Sequence, residues 1–139
     1  MLEFIYGTLE SFGIKHPLHP VMTHIPMGMS IGAFLFALAS LKWEELSKTA
    51  YHCTILALLF IPPTIILGIM DWQYRYHGRL DTIITLKIIL AIVFTGFLSL
   101  ALYLKRRNTT DRRLMLAVYA LSMMTALALG FFGSELVFG

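Results

Sequence analysis

The run His16-Pro17-Leu18-His19-Pro20-Val21-Met22-Thr23-His24-Ile25-Pro26 sets three imidazoles at the mouth of a long apolar stretch, and His77 follows the next one. Imidazole is a good ligand for haem iron and for transition metals. A polar ring at a membrane boundary costs free energy unless it has a partner, so a cluster there is read first as a site. Asp71, Asp81 and Glu135 fall at the same end and supply carboxylates for a metal or for the groups around it. Lys87, Arg75 and Arg79 supply cations that can neutralise haem propionates. Cys53 is the single cysteine, which excludes a disulfide framework, a CxxCH haem attachment and a thiolate metal cage.

The elements that position these groups follow from composition. The chain has 139 residues, is 58% hydrophobic and has a mean hydropathy of +0.75, too apolar for a soluble domain of this length. Four stretches, 21–41, 49–70, 82–104 and 114–132, reach the ~20 residues a helix needs to cross a bilayer core. The fold expected is all-α: an antiparallel, integral membrane four-helix bundle forming a single domain over 1–139. Links at 42–48, 71–81 and 105–113 are short enough to force neighbouring helices antiparallel. Residues 1–15 mix Leu2, Phe4, Ile5, Leu9 and Phe12 with Glu3, Tyr6 and Glu10. That mixture suits a short helix lying in the interface, and a merely tethered N-terminus fits it as well. No removable signal peptide is expected.

Lys and Arg counts orient the bundle. One end carries seven (Lys42, Lys48, Lys105, Arg106, Arg107, Arg112, Arg113) and the other three (Lys15, Arg75, Arg79). The richer end is expected in the cytoplasm, with both termini outside. The net charge of +3 is thereby a topology signal, and nucleic-acid binding has no separate support.

Depth then sorts the histidines. His16, His19, His24 and His77 lie at the outer boundary, whereas His52 opens the second span from the other end. About 17 residues of span, on the order of 25 Å, separate His24 from His52, so those two cannot share one iron. His24 heads a row with Gly28, Gly32 and Phe36. The GxxxG pair Gly28/Gly32 is a helix-packing groove in the simpler reading, and a flat porphyrin can occupy such a groove in the other. Lys87 either snorkels to the outer surface or pairs with Asp71, a propionate or a quinone oxygen. Pro62-Pro63 should kink the second span.

The motifs His16-Pro17-Leu18-His19-Pro20 with His24-Ile25-Pro26, Gly68-Ile69-Met70-Asp71-Trp72 and Gly133-Ser134-Glu135-Leu136-Val137-Phe138 resemble the bacterial domain of unknown function 2231 family. The resemblance covers nearly the whole chain. It implies a four-helix membrane protein in a redox setting, because relatives carry Rieske or cytochrome modules in the same polypeptide. Residues matching by position are His19, His24, Asp71, Trp72, Gly133 and Leu136. Ser134 and Phe138 depart from the common ending, and His77 matches a third-helix histidine only with a shifted register.

The function expected is a membrane electron-transfer subunit binding one b-type haem near the outer face. It would exchange electrons with quinone or an outer redox partner, as part of an oxidoreductase complex rather than as a stand-alone enzyme. His24 is the first axial ligand, His77 the favoured second and His19 the reserve. The alternatives are a transition-metal site (zinc, copper or iron) built from His16, His19, His24, His77, Asp71 and Glu135, and a structural subunit without cofactor. The expected location is the bacterial inner membrane.

Overall fold

A computed structural model describes residues 2–12, 18–108 and 111–138, and those residues form five helices. In chain order they are α1 (Leu2–Ser11), α2 (Leu18–Ala39), α3 (Leu46–Tyr76), α4 (Thr82–Arg106) and α5 (Arg112–Phe138). The last four are long and apolar enough to cross a membrane. They pack as an up-down bundle: α2 lies closest to α3, then α4 to α5 and α2 to α5, and the α3/α4 seam is the sparsest. The all-helical, four-span architecture is as the sequence leads one to expect.

Each span presents an inward row with a 3.5-residue repeat, the signature of left-handed bundle packing. On α3 the row is Ala50, Thr54, Ala57, Ile61, Thr64, Gly68 and Asp71; on α4 it is Ile84, Lys87, Ala91, Phe94, Leu98 and Ala101. On α2 it runs through His19, Pro26, Ser30, Ala33 and Ala37, and on α5 through Tyr119, Ser122, Ala126, Leu129 and Gly133. Small residues dominate these rows because lipid supplies no hydrophobic force between helices, and close backbone approach is what holds them. Buried hydroxyls link them further: the Ser30 hydroxyl donates to Ser122 Oγ at 3.2 Å, and the Ser122 hydroxyl to the Tyr119 carbonyl at 2.9 Å.

The helices overrun the apolar stretches, and the ends show why. α3 continues through Asp71 and Arg75, which the sequence reading had put in a link, because nothing from Asp71 to Tyr76 breaks a helix. It stops where His77 adopts the left-handed conformation (φ 50°) and its N–H bonds the Trp72 carbonyl, followed by Gly78 at φ 69°. The Trp72 indole N–H then donates to the Arg79 carbonyl at 2.8 Å, folding the connection back onto the helix. Asp81 caps α4 through Thr82 N–H (2.7 Å), and Asp111 caps α5 through the N–H groups of Arg113 and Leu114. α3 runs as one helix through Pro62 and Pro63.

The opposite ends of the spans gather the basic residues. The Lys105 ammonium donates to Ser47 Oγ at 2.6 Å, and Arg112 approaches Glu44 at 3.8 Å. This brings the 42–48 and 105–113 links together on one face, as an antiparallel bundle requires.

Candidate functional site

Thr64, Gly68 and Asp71 stand at i, i+4 and i+7 on the inward row of α3, and α2 lays His19 across them. Asp71, only 5% exposed, is the centre. Its Oδ2 accepts the backbone N–H of His19 at 2.8 Å, and its Oδ1 accepts the Tyr6 hydroxyl from α1. The His19 N–H is one of the four donors that the first turn of a helix leaves unpaired, so Asp71 caps α2 from another helix. Pro20, which has no N–H, removes the next such donor. The Tyr6 ring stacks on Tyr74 with centroids 4.1 Å apart and planes within 6°. One carboxylate thereby joins α1, α2 and α3. With both oxygens engaged, it acts as a junction in the fold.

The His19 ring lies flat over Gly68: a Cβ built there would fall 2.9 Å from Nδ1 and 3.0 Å from Cε1. Its Nδ1 sits 2.9 Å from the Thr64 carbonyl. A carbonyl can only accept, so Nδ1 carries the proton and, in the neutral ring, Nε2 carries the lone pair. His24 has the same arrangement on its own helix, with Nδ1 2.5 Å from the Pro20 carbonyl. Its surroundings differ, because His24 is exposed on the outward side of α2, in line with exposed Val21, Gly28 and Leu35. Gly28 has no neighbour within 4 Å of where a Cβ would be, whereas Gly32 faces Cys53 Sγ at 3.8 Å. The GxxxG pair is therefore split: Gly32 serves packing against α3 and Gly28 faces outward.

Lys87 lies half-buried on the inward row of α4, with Nζ 3.7 Å from the place a Cβ would take on Gly133 of α5. It neighbours His19 of α2. His19, Asp71, Lys87 and Gly133, one residue from each span, thus form a polar layer near one end of the bundle core, with buried Ile84 beyond it on α4.

Of the other expected site residues, those whose side chains are described are not drawn in. His77 and Arg79 are exposed in the connection to α4, and Glu135 is exposed near the end of α5. Arg75 lies on α3, and His16 lies outside the described residues. The His24/His77 pair is separated by register. α2 and α3 are antiparallel and His19 lies over Gly68, so His24 is five residues deeper and His77 nine residues further out. Together that is roughly 20 Å of helical rise, more than two imidazoles on one iron can bridge within one chain. Among the described residues no three His, Cys, Asp or Glu side chains converge to hold a metal ion. Tyr6, Thr64 and Tyr74 were missed by the sequence reading.

Four apolar spans around a polar layer near one end of the core define a multi-pass membrane protein. The chain belongs to the family described as predicted membrane protein (DUF2231), whose profile matches residues 15–139. It is also 35% identical over 78 residues to a protein of Archaeoglobus fulgidus described as an uncharacterized protein. That match spans 56% of this chain and 66% of the relative, just under two thirds of its length. No solved structure matches the chain.

Proposed function

We propose that this chain is an electron-transfer subunit of a membrane redox complex, holding one b-type haem against the outward face of α2 near the outer boundary. The observation that carries this reading is His24. Its Nδ1 is committed to the Pro20 carbonyl, its Nε2 is left as the ligating atom, and it is exposed in a span beside the open surface of Gly28. An imidazole facing lipid is costly until something outside the chain engages it. The donation of Nδ1–H to a carbonyl is the arrangement that fixes ring orientation and raises basicity in metal-bound histidines.

The inward rows of alanine, serine and glycine favour close helix packing over a porphyrin inside the bundle, so the fit is to a group seated on its side. His24 would hold the iron through Nε2 and, since His77 is out of register, a further imidazole would have to come from an adjoining subunit. Haem bound there supplies one-electron exchange. The protein's part is to fix the ring of His24, to offer the flat strip at Gly28 and to set the depth of the site. Quinone and an outer redox partner are the proposed exchange partners. The location proposed is the bacterial inner membrane, with both termini outside.

Protein purified from haem-supplied cells should show split visible bands on reduction, as two imidazole ligands produce. His24→Ala should lose the haem, and His52→Ala, from the other end of the bundle, should leave the spectrum unchanged. A colourless wild-type preparation overturns the reading. For topology, single cysteines at positions 109 and 139 in a Cys53→Ser background should differ towards an impermeant thiol reagent in intact cells. Labelling is expected at 139 and not at 109, and the reverse pattern would put the whole site on the cytoplasmic side.

A further inference from the structure

We propose that the polar layer of His19, Asp71, Lys87 and Gly133 near the end of the bundle core binds a phosphate-type oxyanion, with the Lys87 ammonium as its anchor. This rests on the inward geometry of α4 and α5 and is independent of the haem reading. Lys87 occupies the same inward row as Phe94 and Ala101, one and two heptads earlier than they do. It is half-buried and makes no hydrogen bond or ion pair among the described residues. Asp71 shares the layer but is bonded to the Tyr6 hydroxyl and the His19 N–H, and it makes no ion pair with Lys87. Glu135 is exposed. An ammonium half out of bulk water with its N–H donors unanswered is costly, and a bound anion that accepts from them removes that cost.

Gly133 stands beside Nζ, with a Cβ built there 3.7 Å away, so the α5 wall next to the ammonium carries no side chain of its own. An ammonium offers three N–H donors, which suits a tetrahedral group with several acceptor oxygens. The depth also suits a phosphate. Lys87 lies five residues into α4, about 8 Å below the start of that helix, within reach of the polar headgroup region. The sparse α3/α4 seam is the side through which a lipid headgroup can enter, and the outer end of the bundle is the route for a free anion.

The experiment uses the whole chain, delipidated in neutral detergent, in two arms. In the first, phosphatidylglycerol or phosphatidylcholine is titrated and retention is read by native mass spectrometry. In the second, the thermal midpoint is compared in inorganic phosphate and in chloride of equal ionic strength. Wild type should retain one phosphatidylglycerol per chain, or melt later in phosphate. Lys87→Met should weaken that response at least about tenfold, and Lys87→Arg should keep it. A response to phosphatidylglycerol alone identifies a lipid headgroup, and a response to inorganic phosphate identifies the free anion. Equal responses from wild type and Lys87→Met, or no response from wild type in either arm, overturn the proposal. Should Lys87→Met fail to fold, Gly133→Val, which intrudes on the ammonium's neighbourhood while keeping its charge, must show the same weakening.

Discussion

Asp71→Ala should lower the stability of the bundle by about 3–4 kcal/mol, because hydrogen bonds to a charged acceptor are each worth roughly 1.5–3 kcal/mol. Two are lost together, one from the Tyr6 hydroxyl and one from the backbone N–H of His19. The first turn of α2 also loses the negative charge placed at its positive end. Tyr6→Phe removes only the bond to α1 and should cost roughly 1–2 kcal/mol. Asp71→Asn should fall between the two. Its oxygen can still accept from His19, and its amide can face the Tyr6 hydroxyl, which is able to accept. Denaturant titration in mixed micelles gives the three values, and limited proteolysis reports release of residues 2–12. If Asp71→Ala is no worse than Tyr6→Phe, the cap on α2 contributes nothing and the junction is a clamp for α1 alone.

Gly68→Ala should cost about 2–3 kcal/mol even though alanine is the better helix former, because its Cβ would sit 2.9 Å from His19 Nδ1. The ring must leave, taking its bond to the Thr64 carbonyl with it. The informative comparison is a double-mutant cycle. In a His19→Ala background the obstacle is gone, so Gly68→Ala should become neutral or slightly stabilising, and the coupling should approach the full cost of the single change. Gly28→Ala is the control: its Cβ meets nothing within 4 Å, and the change should stay within about 0.5 kcal/mol. Equal penalties for Gly68→Ala with and without His19 would show that the clash is with something other than the imidazole.

The four spans, their order and the gathering of basic links at one end were legible because apolar length and charge counting are local properties of sequence. The histidines were harder, since depth alone does not say which way a side chain faces. Phase does. His19 is seven residues before Pro26 and fourteen before Ala33, all on the inward row, whereas His24 shares its phase with Ile31 and Leu38 on the outer side. The same count places Lys87 with Phe94 and Ala101 on the inward row of α4. Thr64-Gly68-Asp71 carries a related signal: a glycine midway between two polar groups on one face of a helix marks a place where a flat ring can lie. Tyr6 carried no comparable signal. Its partner is 65 residues away, and nothing in the local pattern of α1 distinguishes the tyrosine that docks from Phe4 and Phe12, which remain exposed.

The carboxylate that joins three helices also fixes an order of events during synthesis. Residues 2–11 leave the ribosome long before position 71 is translated, and the first turn of α2 follows them with its His19 N–H still unanswered. Neither can settle until the third helix has been inserted and its far end delivered to the same side. A nascent chain arrested before Asp71 should therefore show its N-terminal helix undocked and open to protease, while one arrested well beyond it should not. A segment made before α2 is thus among the last to be fastened, and a defect in α3 would be felt first at α1.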